Sequence, residues 1–243
     1  MIWKIILFVF ITFFFTAILA ISQQKTNLSF ERITLPQLAP AITVLILFLI
    51  YGNLPASINF SLDKSILCKS LIAFVFPLIL FAITFFIGKQ IGLNVKITEK
   101  LSKLIPVMLV GMLLGALGEE IGWRSFLQPV LEKKSSILFA SIIIGLIWGL
   151  WHVGHYKNGF LFMTGFLLFT TSASIIIAWL LRNTEYNLIV AAIFHLSINI
   201  GFVFFFYNSL EDGKFMLING IVWLIPAIGI IIMNGKVFYE IAK

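Results

Sequence analysis

Three short stretches of this sequence set polar side chains among apolar ones, and their residue types and spacing are those of hydrolytic chemistry. The first is Glu119-Glu120-Ile121-Gly122-Trp123-Arg124, directly after the apolar Val110 to Gly118. If the helix continues, Glu120 and Arg124 stand at i and i+4 and form an ion pair. Glu119, about 100° around the helix, is then left free to face a cavity as a general base. The second stretch is Trp148-Gly149-Leu150-Trp151-His152-Val153-Gly154-His155, where His152 and His155 share a helical face. Two histidines at i and i+3 do not suffice for zinc, which needs a further ligand from elsewhere. The third is His195-Leu196-Ser197-Ile198-Asn199, with His195 and Asn199 at i and i+4. Each stretch also has a plain structural reading: a charged helix end, an interfacial aromatic belt, an interhelical hydrogen-bond pair. Taken together they supply a carboxylate, two imidazoles and a carboxamide on three spans. Those are the parts needed to activate water and stabilise a tetrahedral oxyanion. No serine or cysteine sits in a nucleophile motif, so attack by water fits better than a covalent intermediate.

The elements that must position these groups are membrane spans. Of 243 residues, 60% are apolar and 11% charged, and 26 are phenylalanine. The apolar residues come in unbroken runs, so lipid rather than a protein core covers much of the surface. Candidate spans are 3–22, 36–52, 66–87, 104–118, 136–154, 160–181, 187–207 and 215–234. The expected fold is all-α, a polytopic bundle of about eight transmembrane helices, with 1–243 forming a single membrane domain. Lys4 before an apolar stretch resembles a signal peptide, but the core from Ile5 to Ile21 is longer than a usual signal core of roughly 7–15 residues. We read it as a retained helix. The formal net charge of +7 does not point to nucleic acid, because the Lys and Arg residues stand singly or in pairs at the ends of apolar runs. Their distribution across the two faces is even and leaves the orientation open. Cys68 is the one cysteine, which excludes an intrachain disulfide and reads as a small apolar residue.

The three motifs resemble those of the CAAX-protease and bacteriocin-processing (CPBP, or Abi) membrane proteases, related to the prenyl protease Rce1. That family carries Glu-Glu-x-x-x-Arg, Phe-x-x-x-His and His-x-x-x-Asn/Asp in that order. Here they read Glu119-Glu120…Arg124, Trp148…His152 and His195…Asn199. The likeness covers roughly residues 100–205, which would be the catalytic core. Trp148 replaces the usual phenylalanine, and Ser125 follows the arginine where many members have glycine. The resemblance implies that Glu119 activates water together with His152. It also implies that His195 and Asn199 line the oxyanion site and that Glu120 and Arg124 support them. His155 matches no family position and reads as a supporting residue. Members have been described both as metalloproteases and as metal-free glutamate proteases. We expect no required metal; a bound Zn2+ would be held by Glu119, His152 and His195.

The expected function is thus an intramembrane endopeptidase acting on a lipidated or hydrophobic peptide or protein, with the lipid bilayer as its other partner. The alternative is a non-catalytic immunity or scaffolding protein that binds a bacteriocin or partner. A proton- or ion-coupled transporter ranks last, because no inverted repeat or pair of Gly/Pro-broken helices is evident. The compact chain and short loops fit a multi-pass protein of a bacterial plasma membrane.

Overall fold

A computed structural model describes the chain except residues 1, 27, 31, 55, 98–104, 208, 240, 242 and 243. Helix α1 (Ile2–Gln24) is followed by a 3-10 turn, Leu35–Leu38, that leads into α2 (Ala39–Tyr51) and then α3 (Lys64–Gln90). Helix α4 (Ile105–Gly122) passes through a π-helical turn, Trp123–Leu127, into the short α5 (Gln128–Glu132). Next come α6 (Ile137–Trp151), a 3-10 turn (Val153–Asn158), α7 (Gly159–Leu181), α8 (Leu188–Phe206), α9 (Gly213–Met233) and the short α10 (Gly235–Tyr239). Among the described residues the only strand-like pairings are the isolated bridges Asn59 to Asn187 and Ser136 to Ile241. Every span expected from the sequence falls on a helix, residue 104 lying outside the described residues.

Six helical stretches are long and apolar enough to cross a membrane, and the chain is a multi-pass integral membrane protein. The helices α2 and α6, of 13 and 15 residues, are shorter than a full span. Backbone chemistry sets both limits. Pro36 confines the start of α2 to a 3-10 turn, and His152 leaves the helical region at φ −77°, ψ 58°. Side-chain caps start α3, α6, α8 and α9: Asp63, Ser136, Asn187 and Asp212 respectively, each accepting from backbone N–H of its first turn.

Lipid-embedded helices gain little from burying apolar surface against each other, so close backbone approach and polar contacts hold the bundle. A Cβ added to Gly165 on α7 would lie 2.4 Å from backbone atoms of Met216 and Leu217 on α9, and one on Gly220 would lie 2.4 Å from the Gly165 carbonyl oxygen. Helix α1 is packed into this assembly. Its Phe8 is fully buried against Trp123 and Phe126, at centroid distances of 5.5 and 5.0 Å. Thr12 donates to Thr43 at 3.1 Å. Gln23 holds the loop before α2, donating to the Ile33 carbonyl at 2.7 Å and accepting from the Leu35 N–H at 2.8 Å. The opposite face of α1, with Trp3, Phe10, Phe14 and Ile21, is exposed, as a lipid-facing surface must be.

Candidate active site

Helix α4 brings Glu119 and Glu120 to the centre of the bundle, and both are fully buried. A carboxylate at such depth must be matched by donors or charge. Glu120 has charged company. Arg124 Nε lies 3.4 Å from its Oε2 across one turn, and the His195 Nδ1 lies 2.7 Å from its Oε1. The π turn that begins at Trp123 carries Arg124 and the fully buried Ser125, and such turns recur at functional sites. Arg124 also stands over the Trp148 ring, 5.3 Å from its centroid.

Glu119 is met by neutral donors. Gln37 Nε2 donates to its Oε1 at 2.9 Å, and the indole N–H of Trp148 donates to its Oε2 at 2.7 Å. The Trp123 indole reaches the same oxygen at 3.4 Å. The His195 Nε2 faces Oε1 at 3.8 Å, beyond hydrogen-bond length. The expectation that Glu119 is left free to face a cavity is therefore corrected. Two glycines of α4 are the physical reason: a Cβ at Gly118 would sit 2.7 Å from the Gln37 carbonyl oxygen, so glycine lets the Leu35–Leu38 turn lie against α4, and one at Gly115 would sit 2.2 Å from Gln37 Oε1, where the amide now lies. Gln37 and Trp123 were missed as site residues. The one signal available was a glutamine following Pro36 at the head of an apolar run.

The remaining groups gather on a cavity of about 570 Å³, lined among others by Gln37, Trp148, His152, His155, His195 and Asn199. Glu119 is not on its wall. Phe166, Phe169, Phe202, Ile198 and Met216 form the apolar side. His152 ends α6, and its Nδ1 lies 2.8 Å from the Trp148 carbonyl oxygen. A carbonyl can only accept, so Nδ1 carries the proton and Nε2 of the neutral ring keeps its lone pair. His195 Nδ1 meets Glu120 Oε1 at 2.7 Å, a hydrogen bond that orients the ring. Trp148 thus links the two functions, its indole on Glu119 and its carbonyl on His152. The two neighbouring histidines do not share an α-helical face as expected, since the helix stops at Trp151. The following 3-10 turn eclipses residues three apart, and the His152 and His155 rings lie 5.7 Å apart and 6° from parallel.

Among the described residues no group of three His, Cys, Asp or Glu side chains converges as a metal ion requires. Glu119, His152 and His195 as placed do not fit zinc, and no step below passes through a metal.

Apolar spans enclosing a carboxylate–imidazole cluster define the class as a polytopic membrane protein with a buried polar site, and comparison with known proteins narrows it. Residues 101–201 match the family described as Type II CAAX prenyl endopeptidase Rce1-like. The resemblance drawn from the three motifs therefore coincides with the segment that this family's model matches. The chain is 28% identical over 218 residues to "Lysostaphin resistance protein A" of Staphylococcus haemolyticus, covering 86% of this chain and 60% of that protein. The protein of the same name from Staphylococcus aureus is 29% identical over 237 residues, covering 94% and 56%. "CAAX prenyl protease 2" of Methanococcus maripaludis is 29% identical over 133 residues, covering 50% and 48%. The chain spans about half to three-fifths of the length of these relatives.

Proposed function

We propose that this chain is an intramembrane endopeptidase that hydrolyses a peptide bond of a lipidated or hydrophobic substrate with activated water. The observation that carries this reading is His195, bonded through Nδ1 to Glu120 and facing Glu119 with Nε2 at 3.8 Å, while lining the same cavity as His152 and Asn199. In this reading, water enters beside the His152 Nε2 lone pair. Glu119 is the general base, and the water proton moves toward it by way of the His195 Nε2 that faces it, as the oxygen attacks the scissile carbonyl. Asn199 and the His195 Nε2–H so formed donate toward the oxygen that becomes negative, and Glu120 with Arg124 fixes the His195 ring. The proton then passes to the departing amine as the C–N bond breaks, so the step balances without a covalent enzyme intermediate. The apolar wall of Phe166, Phe169 and Phe202 accommodates a hydrophobic side chain or lipid group. The Rce1-like segment and the relative named as a prenyl protease support this class. The test is cleavage of a lipidated reporter peptide in proteoliposomes, with Glu119→Ala expected to insert and melt normally but not cleave. An active, folded Glu119→Ala protein would sink the proposal.

One observation favours a second reading. Glu119 is fully buried and off the cavity wall, and the relatives that cover most of the chain are named for lysostaphin resistance rather than for proteolysis. In that reading the cluster is a structural pin and the protein acts by binding a partner. Retention of the biological activity by both Glu119→Ala and His152→Ala would select it.

A further inference from the structure

A second cavity, of about 770 Å³, lies at the other end of the bundle, where the end of α5, the start of α6, the end of α7 and α10 converge. Helix α6 touches both cavities, Ile137 lining this one and Trp148 the first, roughly 16 Å apart along the helix axis. Lys133, Lys134, Arg182 and Lys236 cluster at these helix ends, the pattern of side chains that anchor in lipid headgroups. The cavity therefore stands at a membrane surface, away from the candidate active site, and nothing proposed above uses it.

Three polar groups on its wall are incompletely matched. Glu132 is 6% exposed, and its two oxygens accept from Gln128 Nε2 at 2.7 Å and from the Tyr186 hydroxyl at 2.5 Å. Both donors are neutral, so this buried carboxylate has no cation beside it. Gln128 is 1% exposed and its Oε1 has no hydrogen-bond partner, an expensive vacancy for a buried acceptor. Arg182 lines the same cavity and, among the described residues, pairs with no carboxylate. The wall is rigid. Residues Asn183, Glu185 and Tyr186 all have φ between 52° and 57°, a strained setting for non-glycine residues. The segment before α3 and the first turns of α3 hold this loop: Ser57 donates to the Glu185 carbonyl, Asn59 to the Thr184 carbonyl and Lys69 to the Arg182 carbonyl. Burial and the neighbouring Glu132 carboxylate push the Tyr186 phenol well above its ordinary range, so it stays a donor.

Glu132, held by neutral donors alone, asks for a positively charged N–H donor. The guanidinium across the cavity asks for an anion. We infer that this cavity binds the headgroup of a phospholipid bearing a primary ammonium, the ammonium on Glu132 and the phosphate on Arg182. Apolar Leu181 and Val237 on the same wall receive the glycerol end of the lipid.

The test uses the full chain, purified and delipidated in detergent, and its thermal unfolding in micelles doped with phosphatidylethanolamine, phosphatidylcholine or phosphatidylglycerol. Phosphatidylethanolamine is expected to raise the Tm by several degrees. Phosphatidylcholine, which lacks N–H donors, and phosphatidylglycerol, which lacks an ammonium, are expected to give less than half that rise. Glu132→Gln should erase the ethanolamine-specific increment, and Ala178→Leu, which fills the cavity without touching its polar groups, should do the same. Equal stabilisation by the three lipids on the unaltered chain overturns the inference, and that series decides the matter even if a variant fails to fold. Persistence of the increment in both variants overturns it as well. Soluble phosphoethanolamine that stabilises as strongly as the lipid overturns the lipid assignment in favour of a free metabolite.

Discussion

Glu119 and Glu132 are both carboxylates withdrawn into the bundle, and the partners that surround them differ in kind. Glu119 receives an amide and two indoles, and faces the imidazole of His195. Glu132 receives an amide and a phenol. An imidazole exchanges its proton near neutral pH, whereas a phenol displaced upward by burial does not. Fixed donors make a binding group of a buried acid, and a titratable neighbour gives it somewhere to send a proton. The same difference shows in the cavities, one with three ring systems from His152, His155 and His195, the other with a guanidinium and no imidazole.

The largest test of this contrast is to neutralise each acid in turn. Glu119→Gln is expected to lower cleavage of a lipidated reporter by about 10²–10⁴-fold, the usual range for a lost general base. Glu132→Gln is expected to leave the rate within about twofold, because no reacting atom lies near it. Equal losses in the two variants would erase the distinction. The next effect concerns the donors. Trp148→Phe keeps the aromatic packing but removes the 2.7 Å indole bond to Glu119, and kcat is expected to fall about tenfold, since a hydrogen bond to a charged group contributes about 1.5–3 kcal/mol. Tyr186→Phe removes the 2.5 Å bond to Glu132, and is expected to lower unfolding stability by about 1–3 kcal/mol while kcat stays unchanged. An unchanged kcat in Trp148→Phe would mean that the indole bond does not tune Glu119. Between them lies the packing that carries both sites. Gly165→Leu drives a side chain into the α9 backbone and is expected to cost about 1–3 kcal/mol or more, read as a lower Tm in detergent.

The smallest effect belongs to a third acid. Glu211 is fully exposed, and the Lys157 ammonium 2.6 Å away holds its carboxyl below the ordinary range. A depressed folded-state pKa contributes stability above the unfolded value and loses it as pH falls through the folded one. Solvent screening keeps that contribution small. Glu211→Gln is therefore expected to lower the Tm slightly at neutral pH, with the difference from the unaltered chain vanishing in acid. A difference that grows as pH falls would reverse the assignment.

Much of the architecture could be read in advance because lipid imposes a local rule. Each unbroken apolar run must satisfy its own backbone as helix, so the runs from Ile5 to Ile21 and from Leu188 to Phe206 announced α1 and α8 without reference to any neighbour. The i, i+4 relation of Glu120 and Arg124 was equally local, and the pair appears at 3.4 Å. What failed was inference across elements. Gln37 lies far from Glu119 in sequence, and nothing in Leu35-Pro36-Gln37-Leu38 indicates which helix it meets. The exit of the chain from helix at His152, and with it the stacking of His152 on His155, depends on a backbone turn that helical spacing does not forecast.

The sequence by itself determined that the chain lies in a membrane, where its helices run and which polar residues are costly enough to require a reason. Only the tertiary structure decided that Glu119 is enclosed by Gln37, Trp123 and Trp148 while His195 bonds Glu120 and faces Glu119, and that Glu132 and Arg182 face a separate cavity. The physical reason is range. Helix formation and lipid exposure are set by residues a few positions apart, whereas the partner of a buried charge is set by whichever distant backbone packs against it, and the glycine at position 118 makes that approach possible.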